Sequence, residues 1–132
     1  MPVQNDIIKK FVKDTLGCGC SDEVFKKIDI KNNVNVNKSL IINTRLVIGE
    51  RLLIYLINID DVEFIKNNLD EYINSGREER DKQGLNRFRL VLLSHNADSI
   101  GETAENIFKD NVKFDDRIFL HVLKKADITI SE

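Results

Sequence analysis

The stretch Ser39–Ile59 (SLIINTRLVIGERLLIYLINI) decides how the chain is read. Leu40, Ile42, Thr44, Leu46 and Ile48 alternate with polar Asn43 and Arg45, the period of a half-buried strand. Gly49-Glu50 suits a two-residue turn of the Gly-X type. Arg51–Ile59 is almost wholly apolar, as expected of a strand covered on both faces. A β-hairpin with a central second strand is the expected heart of the fold.

Downstream, Asp60-Asp61 opens a helix with Val62, Ile65, Leu69, Tyr72 and Ile73 on its inner stripe. Gly76 can end it, or it can run on to Gly84. Phe88–Ser94 reads as a strand, Asp98–Lys109 as a helix, and Arg117–Leu123 as the last strand, with Val112–Phe114 available for a short antiparallel piece. Upstream, Asn5–Gly17 places Ile7, Ile8, Phe11, Val12 and Leu16 on one helical face. A short helix is expected over Asp22–Lys27, and an edge strand or small hairpin over Asp29–Lys38. The predicted class is α/β, with α+β as the alternative. It has a mixed sheet in which a β-hairpin leads into β-α-β-α-β, preceded by an N-terminal helical segment. One domain over 1–132 is expected, with a helical part to residue 30 and an α/β core from 31.

The chain has 132 residues and a net charge of −2, so no global field draws it to nucleic acid or an anionic membrane. Neither is expected as a partner. Ile, Asn and Lys supply a third of the residues, the imprint of an AT-rich coding sequence. The longest apolar run, Leu52–Ile57, is too short to span a bilayer, and no signal-like opening precedes it. The expected compartment is the cytoplasm, where a cysteine pair is metal-binding or catalytic more often than a structural staple.

That pair is Cys18-Gly19-Cys20, behind Leu16-Gly17 and before Ser21-Asp22-Glu23. Gly19 permits the sharp bend that brings two sulfurs together. A disulfide over so short a loop is strained and therefore oxidising. Cys18 follows the carboxyl end of one expected helix and Cys20 precedes the amino end of the next, which makes Cys20 the more reactive thiol. As a metal clamp the two thiolates suit zinc or iron. Closure needs further ligands: His95 and His121, or the same pair in a second copy, which makes a homo-oligomer an expected assembly. The bland reading is two small residues in a tight glycine joint between helices.

Residues 16–25, Leu-Gly-Cys-Gly-Cys-Ser-Asp-Glu-Val-Phe, resemble the opening of a group of small uncharacterised prokaryotic proteins. In these an amphipathic helix is followed by Leu-Gly-Cys-x-Cys-Pro and an acidic-Val-Phe continuation. Ser21 stands where that pattern has proline. The resemblance implies no activity, but it adds weight to the cysteine pair.

A second candidate lies where two parallel strands would end. Asp60, Asp61, Ser94, His95, Asn96 and Asp98 collect there, at the edge where open α/β sheets bind ligands. Asp60 with Asp61 suits Mg²⁺, His95 suits a general base, and the next helix start offers N–H groups to an anion. The ordinary account is that Asp60 and Asp98 cap helices and Asp61 complements a helix dipole. No glycine-rich phosphate loop accompanies them. His121 reads as a satisfied, partly buried histidine. Arg77–Arg89 mixes charge signs and reads as a solvated helix end.

Three functions follow. Cys18 and Cys20 bind a thiophilic metal or act in thiol redox chemistry. Alternatively, the chain is a non-catalytic interaction or oligomerisation module. In the third reading it is a Mg²⁺- or phosphate-dependent enzyme using Asp60, Asp61, His95 and Asp98.

Overall fold

The computed structural model of the protein describes residues 10–15, 27–36, 40–112 and 115–124. Its ordered elements are β1 (Ile28–Asn35), β2 (Ile41–Ile48), β3 (Leu52–Asn58), α1 (Val62–Lys82), β4 (Arg87–Ser94), α2 (Ala97–Asn111) and β5 (Ile118–Lys124). A π-wound helical turn, Phe11–Thr15, precedes them. The five strands form one mixed sheet in the order β1-β2-β3-β4-β5. β1–β2 and β2–β3 pair antiparallel, while β3–β4 and β4–β5 pair parallel. The class is α/β, as expected. Among the described residues no helix is long and apolar enough to cross a membrane.

β3 is buried along its length from Leu52 to Ile57, and its alternate residues feed two separate cores. Leu53, Tyr55 and Ile57 join Ile65, Leu69, Tyr72 and Ile73 of α1 and Ile100 and Ala104 of α2. Leu52, Ile54 and Leu56 join Leu46, Ile48, Val91 and Leu93, under Phe11 and Val12. Both helices therefore lie on one face. Two successive crossovers of the same hand, stepping in the same direction, require this. The π-wound turn covers part of the other.

Several expectations change. Gly49 and Glu50 both have positive φ, 60° and 56°, the pattern of a I′ turn and not of the Gly-X type, in which only the glycine does. The Arg51 N–H donates to the Ile48 carbonyl at 3.0 Å to close the turn. The alternation expected over Leu40–Ile48 also breaks. Ile42 packs with the helix-side core and Leu46 and Ile48 with the other. β2 stops pairing with β3 at Thr44, and the Asn43 side chain accepts from the Asn58 N–H at 2.8 Å. Arg45, expected to face solvent, is 6% exposed.

Gly76 does not end α1. The helix continues to Lys82 and stops at Gly84, φ 68°, where Leu85 N–H bonds to the Arg80 carbonyl and Gly84 N–H to Asp81. Gly76 sits inside the helix because Phe88 needs the space: a Cβ there would stand 2.0 Å from the ring. Nor is Arg77–Arg89 a solvated end. Arg80, 3% exposed, donates to both Asp115 oxygens at 2.9 and 2.8 Å, and Asp115 also accepts the Arg117 N–H. This bidentate pair latches α1 to the loop before β5. Val112 is the C-cap of α2, not a strand residue, and residues 113–114 lie outside the described ones.

Replacing Gly76 with Ala should destabilise the protein by about 1–3 kcal/mol, because a fully buried ring must move. Chemical denaturation of the Gly76→Ala variant measures it, and an unchanged midpoint would refute the close-packing account.

Candidate functional site

Besides the Arg80–Asp115 latch, described polar residues gather in three places. The first is the carboxyl edge of β3 and β4. β4 ends at Ser94, and backbone pairing persists one step further, with Ile59 N–H donating to the Leu93 carbonyl at 2.9 Å. This brings Asp60 against Ser94 and His95. Asp60 Oδ1 accepts from Ser94 Oγ at 3.0 Å and from the His95 backbone N–H at 2.7 Å. Asp60 Oδ2 lies 3.1 Å from His95 Nδ1. These bonds, led by the backbone one, hold the Asp60 carboxyl below its ordinary value. With Asp60 ionised, the proton belongs on Nδ1, and Nε2 is left as the basic atom. The His95 side chain is 66% exposed, so that atom is open to a ligand.

The other members of this expected cluster have different tasks. Asp61, not Asp60, caps α1, its Oδ1 accepting from the Glu63 N–H at 2.9 Å. Asn96, not Asp98, occupies the N-cap of α2 and makes no side-chain capping bond; Asp98 lies in the first turn. Ser94 is fully buried and bonded on both sides, donating to Asp60 and accepting from the Asn96 N–H at 2.9 Å, so it is no nucleophile. No group of three or more His, Cys, Asp or Glu among the described residues is arranged to hold a metal ion. The Asp60–Asp61 pairing expected for Mg²⁺ is thus split between two other jobs.

The second place is a groove of about 260 Å³ between β1, β2 and the carboxyl half of α1. Its floor is Arg45. Arg45 donates through Nε to Glu79 Oε2 at 2.7 Å and pairs with the same carboxylate through a second nitrogen. Tyr55, its cross-strand partner on β3, donates to Glu79 Oε1 at 2.6 Å, and Gln83 donates to Oε2 at 3.1 Å. Burial opposes the charge on Glu79, but the bonds from Arg45 and Tyr55 more than offset it, and its pKa falls. Burial, then the bond to Glu79, drives the Tyr55 hydroxyl upward. Neither Arg45 nor Tyr55 was a candidate from sequence. An arginine within an alternating strand, with a glutamate on the next helix, was the available signal.

The third place is the sheet face away from the helices. Arg89 is 6% exposed, lies 4.6 Å from the centre of the Phe119 ring, and contacts His121 Nε2 at 3.0 Å. Burial first, then the Arg89 charge, pushes the His121 pKa down to about 4. His121 is therefore neutral, accepts through Nε2, and is satisfied, as read from the sequence. His95 and His121 engage different partners, Asp60 and Arg89. Cys18 and Cys20 lie outside the described residues. No family model, no curated protein and no solved structure matches this chain.

Two outcomes are expected. Glu79→Ala strands a buried cation and should cost roughly 2–4 kcal/mol, whereas a double change to Arg45→Met and Glu79→Leu should recover most of it. Denaturant midpoints of the three proteins measure this. The pH profile should have two legs. His121, depressed in the fold, contributes stability that is present above its unfolded value of 6.5 and lost as pH falls toward about 4. Glu79 and Asp115, also depressed, add a loss below their unfolded values of 4.5 and 3.8. His121→Gln should flatten only the upper leg in an acid-unfolding titration.

Proposed function

We propose that the protein carries an acid–base site at the carboxyl edge of its parallel strands, with His95 Nε2 as the proton acceptor and Asp60 as its positioning residue. The observation behind this reading is the two-point hold of Asp60 on His95, through backbone N–H and Nδ1, with the other ring nitrogen open. A carboxylate behind an imidazole fixes its tautomer and stabilises the imidazolium that forms when it takes a proton. The local charge narrows the ligand. Asp60, Asp61 and Asp98 are all exposed at this edge beside one imidazole. They oppose a free anion, although the start of α2 would favour one. A neutral or cationic small molecule fits better than a free phosphate.

Hydrolysis of neutral and cationic ester and amide substrates, by water deprotonated at His95 Nε2, tests this. His95→Ala should lower the rate by about 10²–10⁴-fold and Asp60→Asn by less. Activity indifferent to His95, or none on such substrates, removes the proposal.

A second reading keeps the cysteines. Cys-Gly-Cys supports thiophilic metal binding or dithiol–disulfide cycling through Cys18 and Cys20. Zinc and iron content and thiol titration of the native protein, before and after mild oxidant, test it. Absence of both metal and reactive thiols would count against it.

A further inference from the structure

The two edges of the sheet are built differently. β1 is protected: Asp29, Lys31, Asn32, Asn33 and Asn35 are exposed along it, and Asn33 is left-handed, φ 55°. Charge and a kink are devices that keep an edge from pairing with another chain. β5 has neither. Between Ile118 and Leu123 there is no charged residue at neutral pH, since His121 stays neutral, and no proline or glycine. Phe119–Leu123 are half-buried, although nothing among the described residues pairs with the outer side of the strand.

Backbone direction shows what that outer side offers. The Phe88 N–H bonds to the Arg117 carbonyl, and Phe88 pairs with Ile118. In a parallel ladder this turns the polar backbone groups of residues 119, 121 and 123 toward β4 and those of 118, 120, 122 and 124 outward. These four alternate positions form a hydrogen-bonding edge that no described residue occupies.

We infer that β5 is a homodimerisation edge: two copies pair β5 antiparallel about a two-fold axis at His121, joining their sheets into one. Full overlap of Ile118–Lys124 with itself sets this register. It places Leu120 opposite Val122 of the second copy and Ile118 opposite Lys124. These outward-facing residues become the hydrogen-bonded pairs. Phe119 then meets Leu123 on the opposite face, and the two His121 side chains meet at the axis. Every contact in the central five positions is apolar or neutral, so the strand is complementary to itself, as a two-fold interface requires. Residues 125–132, which follow β5 directly, are one competing occupant. Lys125-Ala126-Asp127, directly after β5, lacks the glycine or asparagine that a tight hairpin turn favours.

The test is position-specific cross-linking of the full chain with Cys18→Ser and Cys20→Ser. His121→Cys and Leu123→Cys are each added singly and treated with diamide. Only variants with the native amide spectrum are used. At the axis, Cα atoms of a non-hydrogen-bonded pair stand about 4.5 Å apart, inside the roughly 4.4–6.8 Å range of disulfides. Two residues at position 123 would stand roughly 13 Å apart. His121→Cys should therefore give a covalent dimer and Leu123→Cys should not, while light scattering of the wild type gives a dimer mass at micromolar concentration. A monomeric wild type without His121→Cys cross-links overturns the inference. So does equal cross-linking at both positions. Cross-linking that appears only after removal of residues 125–132 also overturns it, by assigning the edge to the chain's own end.

Discussion

A strand buried on both faces needs a layer on each side, and β3 imposes that need on the whole chain. From Leu52 to Ile57 every residue is buried, and alternate side chains enter different cores. The crossovers after β3 and β4 step the same way across the sheet, so α1 and α2 both cover the Leu53–Tyr55–Ile57 face. The Leu52–Ile54–Leu56 face must be covered from elsewhere. Phe11 and Val12 meet it from the beginning of the chain. At roughly 25 cal/mol per Å² of apolar surface, neither face could be left in water without a loss comparable to total stability.

Three buried arginines tie this layered body together. Arg45 joins β2 to α1 through Glu79, Arg80 joins α1 to the loop before β5 through Asp115, and Arg89 joins β4 to β5 through His121 and Phe119. Arg45 and Arg80 meet carboxylates and Arg89 meets an imidazole and a ring face, so each contact fixes the spacing of two elements. The Asp60–His95 dyad differs. It sits outside the cores, its imidazole exposed, on the ends of strands that the cores hold rigid. Rigid strands behind an exposed reactive group are what positioning a ligand requires.

The elements were legible in the sequence to a large degree. The apolar run at Leu52–Ile57 marked the central strand, and the stripe from Val62 to Ile73 marked α1. The partners of the polar groups were not. Asp60 looked like a cap because a cap needs only an acid before a helix, and Asp61 satisfies the same rule one residue later. Gly76 was ambiguous because its reason is a ring twelve residues on. Arg45 counted as a solvent-facing residue because alternation predicts a face, not what stands over it. His95 was read from sequence as a candidate general base, and the structure sets the Asp60 carboxylate against its Nδ1.

By itself the sequence determined the α/β class, the central strand, the two long helices and the presence of a Cys-Gly-Cys pair. These rest on hydrophobic periodicity and turn chemistry, which act over a few residues. Tertiary structure alone decided the strand order, the I′ turn, the break in β2, and the joining of Asp60 to His95, Arg45 to Glu79 and Arg80 to Asp115. Those pairs lie 34 or 35 residues apart. Local pattern carries no information at that range. It is set only when the sheet and helices pack and bring distant polar groups side by side.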